Sequence, residues 1–264
     1  MLPVSDHYEL EPAGSWLTVW FNAPQARNPL TPGRVRDLLV LCAALRDSDL
    51  RGVVFRGRGG VFCAGGDLKA FEGVLRGASS RADVLALSLQ AASLFDAVAG
   101  LPQLTVMAVE GAAMAGGLGL ACCGDMVLAE ETARFALSEV RLGLTPAQIA
   151  PFVVARLGLR TARRLMLSGE SVSGEAAREI GLVDRLAPVG GMDAALAELR
   201  RSMAPAAPQA VAAIKRQLLE LPFQSREEQR QAAAGSFATA LLSDEAREGL
   251  SAFLEKRKSR WTEV

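Results

Sequence analysis

The chain has 264 residues, half of them apolar, with 29 Lys plus Arg against 29 Asp plus Glu. That length and apolar content suit one large α/β core, and a formal net charge of zero excludes the broad positive field that draws proteins to nucleic acid or anionic membranes. No apolar run approaches the roughly 20 residues of a membrane span, and Met1 to Asp6 lacks a basic-then-apolar leader, so a cytoplasmic protein with a small-molecule ligand is expected, with neither nucleic acid nor membrane as partner.

In chain order, Trp16 to Phe21 reads as a strand, and Thr31-Pro32 opens a helix that runs to about Arg46, with Thr as cap and Pro in the first turn. Gly52 to Arg56 is a second strand. Arg81 to Ala99 is a long helix ended by Gly100 and Pro102, and Leu104 to Val109 is the next buried strand. Met126 to Ala129 and Arg134 to Ala136 are shorter strand candidates. Alternation of strand and helix implies a largely parallel sheet. Beyond Thr145-Pro146 helical patterns dominate: Ala147 to Leu157, Thr161 to Leu167, Gly174 to Ile180, Met192 to Ala204, Gln209 to Glu220, Arg226 to Leu242 and Asp244 to Lys258. Ser225-Arg226-Glu227-Glu228 fits a capping box. Ala204-Pro205-Ala206-Ala207-Pro208 is the hinge candidate, giving a core domain over residues 1–204 and a helical region over 205–264.

The four cysteines, Cys42, Cys63, Cys122 and Cys123, lack metal-ligand spacing and read as small core residues. His7 is the single histidine and lies near the amino terminus, so histidine-based triads and zinc sites are disfavoured. Acid/base work falls to a carboxylate, a lysine or bound water. Gly57-Arg58-Gly59-Gly60 follows a strand, but Phe62 stands where a dinucleotide fingerprint needs its last glycine and no Gly-Lys-Ser/Thr follows; a surface turn is expected there.

Two other glycine-bearing turns carry more information: Val61-Phe62-Cys63-Ala64-Gly65-Gly66-Asp67-Leu68-Lys69 and Gly111-Ala112-Ala113-Met114-Ala115-Gly116-Gly117-Leu118-Gly119. Each follows an apolar strand pattern and can present bare backbone N–H groups, so the pair can hold one oxyanion, as chemistry on an acyl thioester requires. Taken alone, Gly116, Gly117 and Gly119 fit close helix–strand packing equally well. Glu139 sits in the mostly apolar run Phe135 to Leu144, where a carboxylate is either ion-paired, for example with Arg141, or functional with a raised pKa. Asp67 and Asp125 read as caps. Phe253 to Lys258 reads first as a solvated basic helix end and second as a contact for a phosphate-rich ligand.

Together these motifs resemble the crotonase (enoyl-CoA hydratase/isomerase) superfamily. The resemblance runs from Ala26-Arg27-Asn28-Pro29-Leu30 through Phe62 to Lys69, Gly111 to Gly119, Cys123-Gly124-Asp125, Phe135 to Gly143, Gly181-Leu182-Val183-Asp184 and Ala252 to Arg257. It implies an α/β spiral of ββα units with a helical carboxy-terminal trimerisation region, in a homotrimer or a homohexamer built as a dimer of trimers. It also implies an acyl-CoA ligand, with no cofactor beyond the CoA of the substrate. Position by position, the N–H groups of Gly66 and Gly116 become the oxyanion hole. Ala64 and Leu68 face the CoA adenine, Ala26 and Arg27 lie along the CoA, and Phe253 and Lys256 reach CoA bound in a neighbouring subunit.

Of the two catalytic glutamates of straight-chain hydratases, one aligns with Glu139 and the other with Gly119, which has no side chain. Pro146-Ala147-Gln148-Ile149-Ala150-Pro151 also departs from the usual glycine-rich turn. The resemblance is nearest to bacterial hydratases of branched glutaconyl-CoA compounds, 3-methylglutaconyl-CoA and isohexenylglutaconyl-CoA. Water addition is expected, with Gly119 leaving room for a β-branch or a distal carboxylate. A single-glutamate isomerase and a catalytically silent acyl-CoA-binding protein are the alternatives.

Overall fold

The computed structural model describes residues 2–67 and 71–262. In chain order the regular elements are β1 (Tyr8–Ala13), β2 (Trp16–Phe21), α1 (Pro32–Arg46), β3 (Gly52–Gly57), α2 (Glu72–Leu75), α3 (Arg81–Ala99), β4 (Leu104–Val109), β5 (Ala112–Met114), α4 (Gly116–Cys122), β6 (Met126–Glu130) and β7 (Arg134–Ala136). They continue as α5 (Ala150–Ser168), β8 (Ser171–Ser173), α6 (Gly174–Glu179), β9 (Arg185–Ala187), α7 (Met192–Met203), α8 (Pro208–Glu220), α9 (Arg226–Leu241) and α10 (Asp244–Leu254).

Among the described residues the main sheet runs β1-β2-β3-β4-β6-β9, and a smaller one runs β5-β7-β8. Pairing in the main sheet is parallel except for the β1–β2 hairpin. Alternate side chains of the main strands point to opposite faces, as a pleated strand demands. Val53, Phe55 and Met107 join the larger core with Leu38 and Leu41 of α1 and Leu94 of α3. Val54, Val106 and Leu128 join Leu196 and Leu199 of α7 on the other face. Burial on both faces explains why these strands read as continuous apolar runs.

The expected parallel α/β core and its principal strands and helices are present. Thr31 caps α1 by accepting the Arg34 N–H, and Ser225 with Glu228 forms the expected capping box of α9. Several elements escaped the sequence patterns. The outer strand β1 contains a proline and is mostly exposed, while β5, β8 and β9 are three residues long, too short to show a period. The two helices expected between Ala147 and Leu167 are one run, α5, interrupted at Gly158, whose φ of 71° and ψ of 159° no helix accommodates. The last helix ends at Leu254, short of the expected Lys258.

Asp125 is not a helix cap. Its carboxylate accepts the Thr105 N–H at 2.7 Å and the Thr105 hydroxyl at 2.8 Å, and pairs with buried Lys215 of α8 at 2.5 Å. Lys215 also donates to the Gln103 carbonyl at 2.5 Å. The carboxy-terminal helices are thereby fastened to the end of β4. At the expected hinge, Arg51 donates to the carbonyls of Ala204 at 2.9 Å and Ala206 at 2.6 Å, so the Ala-Pro segment is held against the core. All four cysteines are buried and free, as small core residues.

By length and composition alone α3 is apolar enough to cross a membrane, contrary to the reading of the sequence. Its carboxy-terminal half is core: Leu94, Phe95 and Val98 are buried in the larger cluster.

Candidate active site

The first glycine turn is laid beside the second by backbone pairing. The Cys63 N–H donates to Ala112 O at 3.0 Å, and the Met114 N–H donates back to Cys63 O at 2.9 Å. Two glycines make the approach possible. A Cβ on Gly65, which has φ of 95°, would stand 2.8 Å from Met114 O, and a Cβ on Gly117 would stand 2.3 Å from Cys63 O. A side chain at either position would push the turns apart. The Gly66 nitrogen then lies 3.8 Å from the Cβ position of Gly116. Among the described residues neither the Gly66 nor the Gly116 N–H has a hydrogen-bond partner. Two donors close together and without acceptors are what an oxyanion needs.

Ala115, which leads into Gly116, adopts φ of 49° and ψ of −121°, a conformation that costs a non-glycine residue energy and persists only when its surroundings dictate it. They do: its N–H donates to Ala136 O at 2.8 Å at the end of β7, and its carbonyl accepts the Gly119 N–H at 3.0 Å.

Glu139 opens a short 3-10 turn, Glu139–Leu142, three residues beyond β7. Because β5 and β7 are parallel, Ala112 opposite Arg134 and Met114 opposite Ala136, Gly116 and Glu139 both leave from the carboxyl ends of adjacent strands. That is where α/β sheets place their chemistry. One carboxylate oxygen of Glu139, Oε2, is buried with no hydrogen-bond partner. Burial pushes its pKa up from the ordinary 4.5, opposed by a smaller effect of its own backbone N–H. No arginine pairs with it among the described residues: Arg141 instead lies against the Gly169 turn, its Nε 3.1 Å from the Cβ position there. The structural ion-pair reading of Glu139 is thereby set aside.

The room expected at Gly119 is not there. A Cβ on Gly119 would lie 2.1 Å from Cγ2 and 2.4 Å from Cβ of Ile149, which is 3% exposed and belongs to the larger core. Ile149 fills the volume, so Gly119 is a packing glycine and does not open a subsite for a branch or carboxylate. Ile149 lies in the Pro146–Pro151 run whose departure from a glycine-rich turn was visible, but nothing in the sequence pairs it with Gly119.

Ala26 and Arg27 end an exposed turn, and the Arg27 carbonyl accepts the Ala64 N–H at 3.0 Å, which brings three of the expected CoA-contact residues together. Leu68 lies outside the described residues. Phe253 is 81% exposed near the end of α10 and Lys256 follows with φ of 53°; among the described residues no backbone hydrogen bond joins either to the glycine turns.

Sequence reasoning missed two residues that hold the first turn. Asn28, fully buried with φ of 54°, accepts the Ala23 N–H and donates to Arg58 O at 2.9 Å and Val61 O at 2.6 Å. Buried Arg34 donates to His7 O at 3.0 Å and Pro29 O at 2.5 Å. Between them the Leu30 N–H donates to Gly65 O at 2.8 Å. His7 itself packs on α1, its ring against Gly33.

The family described as Enoyl-CoA hydratase/isomerase matches residues 13–264 of the chain. A Thermus thermophilus protein provisionally named an enoyl-CoA hydratase is 36% identical over 94% of this chain and 98% of its own. Enoyl-CoA hydratase EchA19 of Mycobacterium tuberculosis is 32% identical over 94% of this chain and 93% of its own. Among solved structures, Pseudomonas aeruginosa AtuE superposes with a TM-score of 0.93 at 39% identity, covering 98% of this chain and all (100%) of that one. With its crotonase-type α/β fold, its matched length and the two glycine turns set beside a desolvated glutamate, the chain belongs to the enoyl-CoA hydratase/isomerase family and is an enzyme of that family.

Proposed function

We propose that this enzyme adds water to a branched glutaconyl-CoA, such as 3-methylglutaconyl-CoA or isohexenylglutaconyl-CoA. The observation that carries the catalytic part is the partnerless, buried Oε2 of Glu139 at the strand ends that also carry Gly116. In this reading the Gly66 and Gly116 N–H groups donate to the thioester oxygen as it gains charge, each bond worth about 2.7–4 kcal/mol to the transition state. Glu139 removes a proton from water as the water oxygen bonds to the β-carbon, and the π electrons move to the enolate. The carboxylic acid so formed returns that proton to the α-carbon, and the enolate collapses to the saturated thioester. Ala26, Arg27, Ala64 and Leu68 hold the CoA, and Phe253 and Lys256 do so across a subunit boundary. The exposed Phe237, Leu242, Phe253 and Leu254 support a trimer or hexamer in which carboxy-terminal helices cover one another. The reaction uses no cofactor beyond CoA, and a cytoplasmic setting suits it.

One observation favours a second reading. With Ile149 against Gly119, no second carboxylate stands beside Glu139 on α4, and moving a double bond needs only one base to remove and return a proton. Incubation with crotonyl-, 3-methylglutaconyl- and isohexenylglutaconyl-CoA in isotopically labelled water separates the two. A product heavier by one labelled water identifies hydration and ranks the acyl groups, whereas unchanged composition with a shifted double bond identifies isomerisation. CoA-ester binding with neither product would leave an acyl-CoA-binding protein.

A further inference from the structure

Helix α3 leaves its core-packed half to expose Val84, Leu85 and Leu89, and the segment after Glu139 exposes Leu142 and Leu144. One polar bridge crosses between these apolar stretches: the Gln148 side-chain amide donates to the Ser88 hydroxyl at 2.9 Å. Ser88 lies one helical turn from Val84 and Leu85, on the same face, and both bridge partners are half-buried. Gln148 adjoins Ile149, which touches Gly119. Gly119 is about one turn along α4 from Gly116, so the sequence neighbour of Gln148 packs on the helix that carries one oxyanion donor. The bridge therefore ties the exposed apolar stretch of α3 to the segment that leads away from Glu139.

The bridge uses one amide proton and one hydroxyl lone pair. That leaves a second amide proton on Gln148 and the hydroxyl proton on Ser88, neither of which has another partner among the described residues. Two adjacent neutral donors can serve the two oxygens of one carboxylate as a fork. Arg141, the charged candidate nearest in sequence, is turned onto Gly169 and is not part of this fork. We propose that Gln148 and Ser88 form the subsite that recognises a distal carboxylate on the acyl chain, replacing the opening at Gly119 that Ile149 closes. The proposal rests on the acyl-CoA reading of the active site and identifies the specificity-determining residues for its substrate class.

The test compares glutaryl-CoA with butyryl-CoA, which present a distal carboxylate and none, and are saturated, so that binding is read without turnover. Titration calorimetry on the full chain is expected to give glutaryl-CoA an advantage of about tenfold or more, the worth of a hydrogen bond to a charged group. Gln148→Glu keeps the length of the side chain and can still accept a bond from Ser88, but places a negative charge at the fork. It should abolish the glutaryl advantage while leaving butyryl-CoA affinity within about twofold. Ser88→Ala should reduce the advantage in the same direction. Equal binding of the two esters by the unaltered protein, or equal losses for both in Gln148→Glu, would overturn the subsite. Turnover of 3-methylglutaconyl-CoA, measured separately, reports on the reaction: no turnover with discrimination intact sinks the hydratase reading and leaves the subsite standing.

Discussion

The contact between Gly119 and Ile149 yields a quantitative test of how the site is walled. Gly119→Ala would put a methyl carbon 2.1 Å from Ile149 Cγ2 and 2.4 Å from its Cβ, where ordinary contacts begin at 3.4 Å. More than an ångström of displacement is needed in a region where both residues are buried, which costs about 1–3 kcal/mol of overpacking. Ile149→Ala alone creates a cavity, at about 2–5 kcal/mol. In the double variant the Cγ2 and Cδ1 contacts are gone and only the Ile149 Cβ position remains tight, so the two losses should not add. A coupling of about 1–2 kcal/mol in favour of the double variant is expected, within the range for residues in contact. The assay is denaturant unfolding of the four proteins at one protein concentration, so that assembly does not shift the midpoints differently. Additivity within about 0.5 kcal/mol would refute the reasoning, because it would mean that Ile149 does not fill the space beside Gly119.

Three further outcomes follow from the same geometry. Glu139→Gln should lower kcat by about 10²–10⁴-fold with CoA-ester affinity retained, as measured by steady-state kinetics and titration. It should also raise the melting temperature at neutral pH. A folded-state pKa above the unfolded 4.5 means that the folded protein loses stability as pH climbs through that window, so the advantage of the amide should grow upward from about pH 4.5 and vanish below it. Gly117→Ala drives a methyl toward Cys63 O, 2.3 Å from its ideal position, and separates the two turns; kcat should fall by about 10²–10³-fold, the loss of one oxyanion donor, and unchanged kcat would detach the donors from the chemistry. Lys215→Met leaves Asp125 without its cation beneath α8 and should cost about 3 kcal/mol, read as a lowered midpoint in urea; an unchanged midpoint would show that the ion pair does not fasten the carboxy-terminal helices.

The parallel sheet and the long helices were legible because each makes a pattern over many residues, in apolar runs such as Val53 to Phe55 or in caps such as Thr31 and Ser225. The two glycine turns and Glu139 were legible as chemistry, since bare N–H groups and a carboxylate in an apolar run are conspicuous anywhere. What stayed hidden depends on which distant segments meet. Nothing local in Asn28 says that its amide spans Arg58 O and Val61 O, some thirty residues away (|i−j| of 30 and 33). Gly119 looked like an absence of substance because a sequence shows a missing side chain but not the neighbour that occupies its place. The strand β7 was legible as Arg134 to Ala136, but the three-residue β5 was not, and nothing local says that their parallel register sends Gly116 and Glu139 off the same ends of adjacent strands.

The two halves of the site are built with different stiffness, and the difference follows from their hydrogen bonds. Around the thioester end, four segments distant in sequence converge on backbone atoms: Leu30 on Gly65, Arg27 on Ala64, Cys63 on Ala112 and Ala115 on Ala136. Positions held this way cannot shift singly, which is how a residue such as Ala115 is kept at a φ of 49°. At the proposed acyl subsite, the exposed part of α3 and the segment after Glu139 are bridged through the Gln148 and Ser88 side chains. Side chains can be exchanged there without moving the oxyanion donors, so selectivity for the acyl group can change while the chemistry stays fixed. If that division holds, substitutions at Gln148 and Ser88 will alter which CoA esters are preferred with kcat on the best ester retained, whereas substitutions at Asn28 or Gly117 will lower kcat on every ester alike.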